Sequence, residues 1–135
     1  MITPTEKEFL KLAERGNLVP VYREILADTE TPVSAYQKLD HSHGAFLLES
    51  VEGGEHLGRY SFVGSHPRAI LRSDGKAVVM HEGKVKSKFR LANGEFPEPL
   101  AVLEHVMARY RPVAVEGLPR FCGGAVGFLS YEYVH

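Results

Sequence analysis

Arg68-Ala69-Ile70-Leu71-Arg72-Ser73-Asp74-Gly75-Lys76-Ala77-Val78-Val79-Met80-His81-Glu82-Gly83-Lys84-Val85-Lys86-Ser87-Lys88-Phe89-Arg90-Leu91 reads as three strands joined by two tight turns. The strands are Arg68 to Ser73, Lys76 to His81 and Val85 to Leu91. Asp74-Gly75 is the strongest short hairpin signal a sequence can carry, because both central residues tolerate the positive φ that such a turn needs. Glu82-Gly83 is a weaker signal of the same kind. The three strands therefore form a consecutive antiparallel meander. In its outer strand, Lys84, Lys86 and Lys88 alternate with Val85, Ser87 and Phe89. That is the pattern of a half-buried strand whose exposed lysines discourage edge-to-edge pairing.

Working outward from the meander, two further strands precede it, Ala45 to Val51 and Arg59 to Ser65. Before them, Thr3-Pro4-Thr5-Glu6 offers a cap, a proline near the first turn and a glutamate three residues after Thr3. Phe9, Leu12 and Ala13 then recur at helical spacing, and Gly16-Asn17 stops that helix. Val19 to Ala27 reads as an extended segment that Pro20 pushes to a sheet edge, since proline cannot donate to a ladder. A short helix follows, capped by Thr31, with Pro32 in its first position and its turns from Val33 to Leu39.

After the meander, Asn93-Gly94 and Pro97-Glu98-Pro99 lead into a second long helix whose apolar face is Leu100, Leu103, Val106, Met107 and Tyr110. Pro112 ends it. The last element is read as a strand from Arg120 to Val134, in which Gly123, Gly124, Ala125 and Gly127 let another backbone approach closely. Strands that cluster and connect by short hairpins rather than helical crossovers give an α+β class, a mainly antiparallel sheet with packed helices.

Composition narrows the function classes. With 135 residues the chain is one domain's worth, able to hold a real core. Sixteen basic residues against 17 acidic ones leave no net field to gather nucleic acid or an anionic membrane. No apolar run approaches the ~18 residues of a membrane span, and Met1-Ile2-Thr3-Pro4 lacks the layout of a secretory signal, so a cytoplasmic location is expected. The single Cys122 cannot close an internal disulfide.

Two stretches point to a family. Leu47-Leu48-Glu49-Ser50-Val51-Glu52-Gly53-Gly54-Glu55-His56-Leu57-Gly58-Arg59-Tyr60-Ser61-Phe62-Val63-Gly64 ends an apolar strand in a polar Glu-Ser pair and restarts in an aromatic strand. It resembles the effector-binding segment of anthranilate synthase component I. Phe121-Cys122-Gly123-Gly124-Ala125-Val126-Gly127-Phe128-Leu129-Ser130-Tyr131-Glu132 is similar to the Gly-Gly-Ala-Val-Gly strand that closes the N-terminal region of that family, and the two matches fall in the right order. The resemblance implies an N-terminal regulatory domain spanning 1–135, with the catalytic chorismate-binding domain absent from this chain. The sequence stops directly after the final strand without a polar tail, which suggests a natural chain that continues.

The complete protein would convert chorismate and ammonia to anthranilate and pyruvate. It would use Mg2+ at a site outside this chain and ammonia delivered by a glutamine amidotransferase subunit, component II. The role left to the fragment, inactive by itself, is feedback sensing of L-tryptophan.

The effector residues implied by the resemblance are Ser50, Glu49 and Tyr60. A free amino acid offers an ammonium that wants a carboxylate or carbonyl, a carboxylate that wants donors and a side chain that wants an apolar wall. Glu49 and Ser50 supply the polar partners beside Phe46, Leu48, Tyr60 and Phe62. Adjacent residues of a regular strand point to opposite faces, so Ser50 is taken as the direct contact and Glu49 as acting through its backbone or a distorted position. Arg59 could pair with a carboxylate. On the residues alone, Glu49-Ser50 is a solvated turn, and Tyr60 and Phe62 are core aromatics sharing a face.

The other motifs carry less. Gly123-Gly124-Ala125-Val126-Gly127 lacks the Gly-Lys-Ser/Thr ending of a phosphate loop. None of the histidines considered, His41, His43, His56 and His66, has a second ligand-type residue at a metal-motif spacing, and they are assigned to loops. Cys122, in an apolar strand, is read as an inert small hydrophobe. Two other functions fit the sequence: the related region of aminodeoxychorismate synthase component I, and a stand-alone amino-acid-binding module.

Overall fold

The computed structural model describes residues 1–49, 60–92 and 94–134, among them three α-helices and five strands in two antiparallel sheets. The α+β class expected from the sequence is what the chain adopts. It divides into two compact units, one of residues 1–25, 71–79 and 87–135 and the other of residues 26–70 and 80–86.

In the first unit, helix α1 runs Glu6–Ala13. Its capping box is built two residues later than the sequence suggests, with Thr5 rather than Thr3 at the N-cap. The Thr5 N–H and hydroxyl both donate to the Glu8 carboxylate, at 2.9 and 2.7 Å. This satisfies donors that the first helical turn leaves without partners. Past the helix, the Asn17 side chain accepts from the Arg111 N–H at 2.6 Å and donates to the Arg109 carbonyl at 2.8 Å, tying the stop of α1 to the chain after α3 (Pro99–Met107). Gly16 makes this approach possible, because a β-carbon there would stand 2.2 Å from the Arg111 carbonyl oxygen.

The buried hydrophobic side chains of this unit, among the described residues, are Ala77 and Val78, Leu91, Val102 and Val106 of α3, and Val113. The inward face of α3 is largely the one expected, with Val106 buried and Leu103, Met107 and Tyr110 half-buried; Val102, four residues before Val106 on the same side of the helix, joins it as a buried residue, whereas Leu100 is exposed. Phe89, Phe96 and His105 form an edge-on aromatic cluster with ring centroids 5.2–6.2 Å apart.

Two expected strands do not form among the described residues. Residues 19–27 make a single isolated bridge, Tyr22 to Thr3, with a second, Leu18 to Pro112, just before them, and Val21, Ile25 and Leu26 lie exposed. Residues 120–130 are irregular and lead to a single 3-10 turn, Tyr131–Val134. A strand exists only by pairing, and the three glycines of that segment give its unpaired backbone more freedom than any other residue would. Cys122 is accordingly exposed, not the buried hydrophobe expected.

The second unit holds helix α2, Pro32–Gln37, packed against the antiparallel pair β1 (Ala45–Glu49) and β2 (Ser61–Ser65). Thr31 caps α2 as its sequence demands: its hydroxyl accepts from the Ser34 N–H at 3.1 Å, and the Ser34 hydroxyl accepts from the Thr31 N–H at 2.9 Å. Strands β3 (Ala69–Ser73), β4 (Ala77–Glu82) and β5 (Val85–Arg90) form the second sheet in that order. The Asp74 carboxylate closes the β3–β4 turn by accepting from the N–H groups of Lys76 and Ala77, both at 2.9 Å, and Gly75 takes φ +82°. Strand β4 carries the buried Ala77, Val78 and Met80, as the middle strand of three should.

Candidate functional site

The β1–β2 register fixes what shares a face. Ala45 pairs with Ser65, Leu47 with Val63 and Glu49 with Ser61, while Phe46 opposes Gly64 and Leu48 opposes Phe62. Directly opposed residues project to the same side of a sheet and successive residues alternate. Glu49 therefore belongs with Ser61 and Val63, and Leu48 with Phe62. The Phe46 ring covers Gly64 so closely that a β-carbon there would lie 2.4 Å from it.

The face of Ser61 and Val63 borders an open groove of about 430 Å³, whose other wall is Ala27, Glu30, Thr31, Pro32 and Ala35 from the start of α2. That volume falls at the small end of the range for small-molecule sites. Its anionic wall is organised: the Glu30 carboxylate accepts from the Lys38 ammonium and, at 2.7 Å, from the Ser34 hydroxyl. These bonds, Lys38 first, hold the Glu30 carboxyl below its ordinary pKa.

Of the three residues expected to contact an effector, Glu49 is exposed at the end of β1, opposite Ser61 of the groove wall. Tyr60, just before β2, is half exposed, and its ring stacks with Phe62 at 6.2 Å between centroids. Phe62 falls on the side away from Ser61. Glu49 and the Tyr60–Phe62 stack thus meet at one end of the strand pair, with the groove on the Glu49 side only. Ser50 and Arg59 lie outside the described residues. The groove itself escaped sequence reasoning, since Glu30 and Thr31 read only as a helix start.

A second constellation was also missed. Asp40, His43 and His66, all exposed, each place one ligand-type atom within 4.8 Å of the others. Asp40 and His43 come from the turn after α2, and His66 from the turn after β2. Asp40 Oδ2 lies 3.2 Å from His66 Nε2, and the Ser42 hydroxyl lies 2.9 Å from Asp40 Oδ2 and 2.7 Å from His43 Nδ1. The Ser42 N–H, then its hydroxyl, keep the Asp40 carboxyl below its ordinary pKa. Spacing could not reveal the cluster, because pairing of β1 with β2 is what brings His66 to the turn before β1.

Comparison with known proteins gives its relatives. The chain is 42% identical to anthranilate synthase component 1 of Pseudomonas putida over 95% of its length. It is 43% identical to that of Synechocystis sp. over 99%, and 34% identical to that of Acetivibrio thermocellus over 99%. This chain is a relative of anthranilate synthase component 1. It spans about a quarter of the length of these anthranilate synthase component 1 sequences. No family model matches it, and no solved structure matches it significantly. Among the described residues, no helix is long and apolar enough to cross a membrane.

Proposed function

We propose that this chain is the N-terminal, regulatory part of an anthranilate synthase component 1 and that it holds L-tryptophan as a feedback inhibitor at the end of the β1–β2 pair. The observation that carries this reading is the joint one: 42–43% identity along nearly the whole chain to about a quarter of those relatives' length, and a groove of small-molecule size lined by Ser61, the β2 partner of Glu49. Glu30 in the groove wall and Glu49 opposite Ser61 offer carboxylates to an ammonium, the Ser61 and Thr31 hydroxyls can bind a carboxylate, and Val63, Ala27 and Ala35 give an apolar wall.

In this reading the complete protein, cytoplasmic, turns chorismate and ammonia into anthranilate and pyruvate. Mg2+, chorismate and the component II amidotransferase are bound by parts outside residues 1–135, and the chain by itself is inactive. Inhibition then requires a free energy shared between the effector site and the distant chemistry.

The test is Ser50→Ala in the complete enzyme. A hydroxyl that hydrogen-bonds a charged group contributes ~1.5–3 kcal/mol, so inhibition by tryptophan weakens roughly 10- to 150-fold at ~1.4 kcal/mol per tenfold, with turnover of chorismate unchanged. Inhibition curves that superimpose for the two proteins would remove Ser50 from the site.

A further inference from the structure

We propose that Asp40, His43 and His66 form a binding site for a late first-row divalent cation of the zinc or nickel type. The argument starts from the donors. Two imidazole nitrogens and one carboxylate oxygen suit Zn2+, Ni2+ or Cu2+, whereas Mg2+ and Ca2+ prefer oxygen alone.

The distances agree. Ligand atoms bound at about 2.0–2.2 Å around a tetrahedral ion stand roughly 3.3–3.5 Å from one another. Asp40 Oδ2 and His66 Nε2 are already 3.2 Å apart, and all three ligand atoms fit within 4.8 Å. Small side-chain rotations on an exposed surface complete the set, and a cation here would keep water in its remaining positions.

The surroundings orient the donors. Ser42 meets Nδ1 of His43, and the Ser65 hydroxyl meets Nδ1 of His66 at 3.2 Å, so that Nε2 is the ring atom each histidine directs elsewhere. Ligating imidazoles are commonly held in this way through the second ring nitrogen. Ser42 also fixes Asp40 through its N–H at 2.8 Å. The rings of His43 and His66 are stacked, with their planes 28° from parallel and their centroids 5.9 Å apart. The turn that presents His66 has φ +52°, a left-handed conformation uncommon for a residue with a side chain.

The experiment is calorimetric titration of the full chain with ZnCl2 and, separately, NiCl2, with MgCl2 as the control cation. One Zn2+ or Ni2+ binds per chain and Mg2+ gives no saturable heat. Asp40→Asn and His66→Asn each weaken binding at least about tenfold, the lower bound for disturbing even an outer partner of a metal ligand. Asparagine suits position 66 because it tolerates the left-handed backbone. His41→Ala binds as the parent does, since His41 instead stacks on Tyr36 and meets its carbonyl. No saturable binding of either transition metal, or unchanged affinity in Asp40→Asn and His66→Asn, overturns the proposal.

Discussion

A β-carbon on Gly16 would meet the Arg111 carbonyl oxygen at 2.2 Å and Val113 Cγ2 at 2.7 Å, while one on Gly64 would meet only the outer ring atoms of Phe46. The first neighbour is backbone held by hydrogen bonds to Asn17 and Leu18; the second is the far end of a side chain that can turn aside. Overpacking costs about 1–3 kcal/mol, so Gly16→Ala should fall near the top of that range and Gly64→Ala near the bottom. Urea unfolding of the two variants checks the order, and equal losses would show that Arg111 yields as readily as a ring. The sequence marks Gly16 as a helix stop, and no local pattern reveals that its missing side chain makes room for a segment near the other end of the chain.

At the scale of elements, the Asp74 turn was legible because its chemistry is local: the aspartate, the glycine and the two N–H groups it binds are adjacent. Those N–H groups, Ala77 first, lower the carboxyl pKa. A group lowered in the folded state contributes stability above its unfolded pKa of about 3.9 and loses that contribution as pH falls through the lower folded value. Melting temperature should therefore drop more steeply with acid below about pH 4 in the parent than in Asp74→Asn, which keeps the acceptor oxygen but cannot titrate. Parallel curves would mean the turn is not linked to protonation. Elements that depend on distant partners were less legible. The segment 120–130 has a strand's composition but no paired strand among the described residues, and the buried face of α3 is chosen by what packs on Val102 and Val106. The histidine cluster failed to show for the same reason.

For the molecule as a whole, apolar side chains stand at the surface. Phe128 is 93% exposed, with Leu129 and Tyr131 exposed beside it. Apolar surface of this kind favours association, so light scattering should show average mass rising with concentration, and a mass fixed at one chain over a wide range would argue that this surface is tolerated. Family was the most legible property at this scale, since two stretches of sequence sufficed to suggest it and comparison along the chain supports it.

The exposure of Cys122 changes what oxidation can do to this protein. With one thiol in these 135 residues, a disulfide between two copies of the chain joins them through the same residue, producing a symmetric covalent pair. Such a pair persists on dilution, whereas apolar self-association reverses. A reducing agent therefore separates the two, and oxidative state becomes a second, independent route by which this chain is found in twos.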